Sequence, residues 1–292
     1  MDADDPGTGA TRLPEPGSLA DRSELDPKAQ SRLADKVVIV TGAGQGIGHA
    51  VARRVGAEGA LVMVCDRSPE GARRTAGELE HHGVETATFV GDMTSFENSE
   101  MLVTETFDWQ GRIDVLVNAI GGATRFKPYA EWSPEEIVEE MNRSLLPTLW
   151  CTRAVLVHMV ARRSGRIVNI GAESVRNGLW DRAPYNVAKG GVHALTTSVA
   201  REVAELGITC NCVAPGGTNS AVDRIVPRYA APDDPEESAQ RERLRERVLS
   251  TIPMGRRAEV DEPAAAVAFL ASDDASFVTG QILSVNGGSS ML

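Results

Sequence analysis

A doubly wound α/β fold on one parallel seven-stranded sheet is the architecture this sequence predicts, and three features predict it. Short β-branched runs alternate with stretches of helical periodicity from residue 37 almost to the C-terminus. The first run ends in a glycine-rich turn that opens directly into a helix. An aspartate ends the second run, 18 residues beyond the last glycine of that turn. Composition agrees. With 292 residues, 42% hydrophobic but only 4% aromatic, the chain suits a single domain whose small side chains let helices lie close on a sheet. No repeat at solenoid period interrupts it.

Residues 1–34 are rich in Asp, Pro, Gly and Ser without periodicity and are expected to form a disordered acidic tail. The folded domain is expected over 35–292. Residues 37–40 form a buried strand, followed by Thr41-Gly42-Ala43-Gly44-Gln45-Gly46-Ile47-Gly48 and a helix over 49–58. This Rossmann-type arrangement is what a dinucleotide requires. Gly42 permits the tight turn. Gly46, flanked by Gln45 and Ile47, lets backbone N–H groups at the helix N-terminus approach the pyrophosphate. Gly48 lets helix and strand pack closely. The second strand, 61–65, ends in Asp66, placed to accept hydrogen bonds from the adenosine ribose hydroxyls and to repel a 2′-phosphate. That favours NAD over NADP, with the adjacent Arg67 softening the repulsion.

A helix over 69–82 and a strand over 86–90 lead to Asp92 and Met93. Asp92 either bonds the adenine amino group or caps the next helix, 95–109. The fourth strand, 113–117, runs into Asn118 and a Gly121-Gly122 pair, where a ligand can come close. A long helix over 134–161 starts with Ser133 as N-cap and is expected to kink at Pro147. The fifth strand, 166–170, is followed by Gly171-Ala172-Glu173-Ser174. Tyr185 opens a helix over 185–206 and Lys189 lies one turn on, so the ammonium favours the phenolate and makes Tyr185 useful as a general acid or base. The sixth strand, 208–213, ends in Pro215-Gly216-Gly217-Thr218. Residues 219–257 break the alternation, with a charged helix near 238–249, and read as a substrate lid. A helix over 262–271 and a strand over 281–285 close the chain.

The net charge of −11 and pI near 5.0 argue against nucleic acid and anionic membrane surfaces as partners. No apolar run is expected to reach transmembrane length, and no secretory signal is visible. Cys65, Cys151, Cys210 and Cys212 have no CxxC spacing and read as reduced core residues of a cytoplasmic protein. The five histidines lack metal-ligand spacing, so no metal is expected.

Thr41-Gly42-xxx-Gly46-x-Gly48, Asn118 to Gly121, Tyr185-xxx-Lys189 and Pro215-Gly216 occur in order, and together they resemble the short-chain dehydrogenase/reductase family over about residues 33–292. The resemblance implies that Tyr185 is the catalytic acid/base and that Lys189 lowers its pKa and holds the nicotinamide ribose. It places Asn118 near the adenosine ribose, bracing the sheet, and Thr218 at the nicotinamide carboxamide. It also implies a homotetramer that buries the helix over 145–160. Two departures stand out. The family's substrate-binding Ser position is Ala172, so Ser174 is expected to substitute by returning to the same face of an extended backbone, with Glu173 pointing away. The helix position where the family carries a relay Asn is Ser144, still able to bond a water. Residues 143–151, Arg182-x-Pro184-Tyr185 and Lys127-Pro128 resemble a subgroup, the cis-dihydrodiol dehydrogenases, those acting on 1,6-dihydroxycyclohexa-2,4-diene-1-carboxylate among them. The substrate expected is therefore a small cyclic diol with a carboxylate, anchored by Arg182, with Arg176 and Lys127 as alternatives. A carbonyl reductase of the same family and a catalytically weak nucleotide-binding scaffold are the competing readings.

Overall fold

The computed structural model describes residues 32–220, 242–243 and 246–291. Strand β1 (Val37–Thr41), entirely buried, feeds the glycine turn and helix α1 (Gly46–Ala57). Helix α1 begins three residues before its expected start because the turn itself supplies the first helical turn. Then come β2 (Leu61–Asp66), α2 (Pro69–His81), β3 (Thr86–Val90), α3 (Phe96–Gln110) and β4 (Val115–Asn118). Caps explain these boundaries. The Ser68 and Ser95 hydroxyls accept from the third backbone N–H beyond each, at 3.1 and 3.4 Å, and Gly111, left-handed at φ 69°, stops α3.

The expected long helix is two helices, α4 (Pro134–Ser144) and α5 (Leu146–Arg162). Pro147 lacks the N–H that would continue the ladder, but it fits the first turn of a new helix, so the chain breaks at Leu145 rather than bending. A complete capping box of Ser133 and Glu136 starts α4. Taken together, Pro134–Arg162 are long and apolar enough to cross a membrane by length and composition, which corrects the expectation that no such run exists. Here they pack as core helices, α5 on α3 and α4 on α7.

The second half comprises β5 (Gly165–Ile170), the single turn α6 (Ser174–Asn177), α7 (Ala183–Val203), β6 (Ile208–Pro215), the short strands β7 (Thr218–Asn219) and β8 (Ala258–Glu259), α8 (Asp261–Ala271) and β9 (Ile282–Val285). The main sheet has the order β3-β2-β1-β4-β5-β6-β9, and every neighbouring pair is parallel. Successive strand residues enter opposite cores. Val38, Val40, Val62 and Val64 pack on α1, α2 and α8, while Ile39, Met63 and Leu116 pack on α3, α5 and α7.

Leu33 is fully buried in the first core and Arg32 pairs with Glu58, so the folded part begins at or before residue 32. The rest of the expected tail lies outside the described residues. So does most of the expected lid and its helix, at 221–241 and 244–245. Residues 246–249 are helical, and β7 pairs with β8, Thr218 beside Ala258. The insertion therefore leaves and re-enters the domain at one point.

Candidate active site

The strand order reverses between β1 and β4, and outside the carboxyl ends of the strands lies a cleft of about 770 Å³. One end is built by the glycine turn. Gly42 and Gly46 have φ of 67° and 56°, a region costly for other residues. A Cβ on Gly48 would stand 2.1 Å from the Gly42 carbonyl oxygen, so nothing larger packs there. Gln45 precedes α1 without capping it through its side chain, and its buried Oε1 has no partner. The N–H groups of the first turn of α1 thus face the cleft with no side-chain acceptor from their own N-cap.

Asp66 lies at the same end with Arg67, Asp92 and Met93. One Asp66 oxygen accepts from Gly44 N–H and the other from Ser68 N–H, each at 2.8 Å. Those bonds fix the carboxylate against the glycine turn and leave lone pairs for a ligand. Asp92 closes its own turn by accepting from Thr94 N–H at 3.0 Å. It does not cap α3, because Ser95 does. Asn118 is buried and absent from the cleft lining, and its amide donates to Thr152 Oγ1 at 3.0 Å and Asn169 Oδ1 at 2.9 Å. Those bonds brace β4 against β5 and α5, the bracing that the family resemblance implies.

At the other end, α7 begins at Ala183, two residues before Tyr185, with Arg182 at its N-cap position. Tyr185 is half-buried and lines the cleft. Lys189, one turn on, is buried, and its ammonium donates to the carbonyls of Ile120 at 3.2 Å and Ile170 at 2.7 Å. Burial lowers its pKa to about 8. Ser144, also buried, donates to Glu140 Oε1 at 2.7 Å. Gly121, at φ 134°, admits no side chain, since a Cβ there would meet Lys189 Nζ at 2.8 Å. Gly216 is equally constrained, a Cβ standing 2.8 Å from Asn286 Cα. With Pro215 and Thr218 it lines the cleft, and the Thr218 hydroxyl donates to the Gly216 carbonyl at 3.1 Å.

Ser174 lines the cleft with a buried, unpartnered Oγ, though not by the expected route. Glu173 is helical at φ −65°, ψ −25°, so the backbone turns after Ala172 rather than running extended, and α6 presents Ser174 from its first turn. Glu173 was expected to point away and does not. It lines the cleft as a buried carboxylate that accepts from Ser290 Oγ.

Of the three candidate substrate cations, only Arg182 lies on the cleft. Its guanidinium stacks 4.7 Å from the Phe126 ring, and its Nε is buried without a partner. Burial lowers its pKa, Tyr185 and Asp181 oppose that shift, and Arg257 adds to it. Lys127 holds both oxygens of Glu136, at 3.0 and 2.8 Å, and steadies the cap of α4. Arg176 donates to Ser284 Oγ at 2.7 Å and to the Ile282 carbonyl at 3.0 Å, tying α6 to β9. Arg257 also lines the cleft and donates to the Thr218 carbonyl at 3.0 Å. It sits in an Arg-Arg pair after the insertion, and only the pairing of β7 with β8 brings it to the site.

The sequence matches the family model described as short chain dehydrogenase over residues 36–228. The chain belongs to this family. It is 42% identical over 257 residues, 88% of this chain and 97% of the relative, to the 1,6-dihydroxycyclohexa-2,4-diene-1-carboxylate dehydrogenase of Acinetobacter baylyi. It is 41% identical over 261 residues, 89% and 96%, to the 2,3-dihydroxy-2,3-dihydro-p-cumate dehydrogenase of Pseudomonas putida. The crystal structure of gox2181 superposes with a TM-score of 0.79 at 30% identity, covering 89% of this chain and 98% of that one. A short-chain dehydrogenase works with a nicotinamide cofactor, and this cleft fits one. The open N-terminus of α1, without a side-chain cap, suits a pyrophosphate. Asp66 stands at the adenosine end and the Tyr185–Lys189 pair at the other.

Proposed function

We propose that this dehydrogenase oxidises a cyclic cis-diol carrying a ring carboxylate, with NAD⁺ as the hydride acceptor. The observation that carries the substrate class is the meeting of Arg182 and Arg257 beside Tyr185 in one cleft. The Arg182 Nε is buried without a partner among the described residues, which suits an anion there, and the planar guanidinium fork matches a carboxylate. The names of the two relatives, both dehydrogenases of diols that carry a ring carboxylate, support the same class.

Bound NAD⁺ would take the hydride. Tyr185 takes the hydroxyl proton, and Lys189, fixed by two strand-end carbonyls, keeps the phenol acidic. Ser174, whose hydroxyl has no partner among the described residues, donates to the substrate oxygen as charge develops on it. With a 1,6-dihydroxy-1-carboxylate, loss of hydride from C6 and of the proton from its hydroxyl gives a β-keto acid. That product loses CO₂ to give a catechol, so the site need perform only the hydride step. Wild-type turnover on cis-diols with and without the ring carboxylate tests this. A strong preference for the acid is expected, and equal turnover of the neutral diol overturns it.

The choice of NAD rests on Asp66. Asp66→Ala should weaken NAD and narrow the discrimination against NADP, by about 1–3 kcal/mol for a lost charge-assisted bond. Equal wild-type kcat/KM with the two cofactors overturns the assignment. We further propose a cytoplasmic homotetramer. Val157 and Val160, at i and i+3 on α5, are exposed, apolar side chains that a two-fold copy would cover. Light scattering should give four times 31.1 kDa, and a monomeric mass at assay concentration contradicts it.

A further inference from the structure

Two buried groups of opposite charge stand on neighbouring helices, one of them lining the cleft, and the scheme above uses only that one. Lys189 on α7 and Glu140 on α4 are 2% and 1% exposed. A charged group so buried is held by partners or it neutralises. Glu140, Arg143 and Ser144 fall at i, i+3 and i+4 and share one face of α4, the helix that packs on α7. Glu140 takes the Arg143 guanidinium on one oxygen and the Ser144 hydroxyl, at 2.7 Å, on the other. Arg143 also donates to the Gly122 carbonyl, which fixes the ion pair to the loop that lines the cleft. A Cβ placed on Gly121 would stand 2.8 Å from Lys189 Nζ and 3.8 Å from Ser144 Oγ. Ammonium and hydroxyl therefore border the same small space beside Gly121.

We propose that Glu140 is a positioning residue of the active centre: its carboxylate, oriented by Ser144 and balanced against Arg143, keeps the Lys189 ammonium charged beside Tyr185. The inference rests on the reading of Lys189 as the catalytic amine. The charges facing Lys189 support it. From β6 comes Cys212, whose thiol burial pushes up to about 12 and which is therefore neutral near pH 8. From its own helix comes His193, lowered by burial to about 4 and neutral as well. That leaves Arg143, which opposes the ammonium, and Glu140, which supports it. Without Glu140 the amine would face a like charge in a site that burial has already made hostile to cations.

Glu140→Gln keeps the shape and a bond to Ser144 but removes the charge, and Arg143→Met removes the opposing cation. Labelling of the Lys189 amine by trace acetic anhydride across pH, read by mass spectrometry on the full chain, reports its titration without requiring turnover. Wild type should titrate near 8. Glu140→Gln should fall by about one pH unit, and Arg143→Met should rise. The alkaline limb of kcat should move with each. A purely structural role for the ion pair would lower activity in both variants while leaving the titration in place, and that result overturns the proposal. Should Glu140→Gln fold poorly, the direction of the Arg143→Met shift decides alone, and a downward or absent shift overturns it. A titration that moves while the kcat limb stays fixed removes Lys189 from the turnover step. That outcome rejects the underlying reading of the catalytic amine rather than Glu140's hold on it.

Discussion

Tyr185→Phe should lower kcat by about 10²- to 10⁴-fold, the range that a lost general acid/base produces, while changing cofactor affinity little. The ring remains, so packing on the first turn of α7 is kept, and only the hydroxyl that receives the substrate proton goes. The structure puts that hydroxyl's helix in a defined place. Arg182 precedes α7, and Lys189 is locked one turn later by the Ile120 and Ile170 carbonyls. Ser174→Ala should cost less, on the order of 10²-fold for one lost donor to the developing oxyanion. Its loss should fall on kcat because the Ser174 hydroxyl has no bond among the described residues to lose. Single-turnover hydride transfer with saturating cofactor checks both. A Tyr185→Phe enzyme within tenfold of wild type, or a silent Ser174→Ala, would remove the corresponding role.

The comparison of these two residues marks what the sequence discloses. The glycine turn, Asp66 and the Tyr185–Lys189 spacing are legible because each function depends on a local backbone form. A turn needs glycine, a strand ends where its apolar run ends, and i, i+4 residues share a helix face whatever surrounds them. The strand positions and the Ser133 cap of α4 follow for the same reason, whereas the Ser68 and Ser95 caps emerge only in the structure. Ser174 is half legible. The hydroxyl near the missing Ala172 serine stands out, but its presentation depends on whether the chain stays extended or turns, and it turns at Glu173. Glu140 and Arg257 are not legible. One is a glutamate among several on an acidic helix, and the other follows an insertion. Only the packing of α4 on α7 and the pairing of Thr218 with Ala258 give either a place at the site. Lys127 and Arg176 fail for the converse reason. As loop cations near strand ends they look available, yet Glu136 and the edge of β9 hold them.

Among the candidate cations Arg182 carries the remaining expectation. Arg182→Ala should abolish the preference for a carboxylated diol, lowering kcat/KM on the acid by roughly 2–5 kcal/mol of lost charge-paired binding while leaving the neutral diol nearly unchanged. Three observations set the size of that effect. The guanidinium is held against the Phe126 ring at 4.7 Å, so little side-chain entropy remains to be lost on binding. Burial and the neighbouring Arg257 both work against its charge, and its Nε is buried without a partner among the described residues, so an incoming carboxylate supplies counter-charge to Arg182. Tyr185 lies one turn further along the same helix, so an anion on Arg182 brings a vicinal hydroxyl towards the phenol. Arg182→Lys should recover only part of the loss, because a point charge cannot reproduce the bidentate fork. Measured kcat/KM for the acid and for its uncharged analogue, on wild type and both variants, separates the contributions. If Arg182→Ala lowers both substrates equally, the side chain serves the start of α7 and the anchor lies with Arg257.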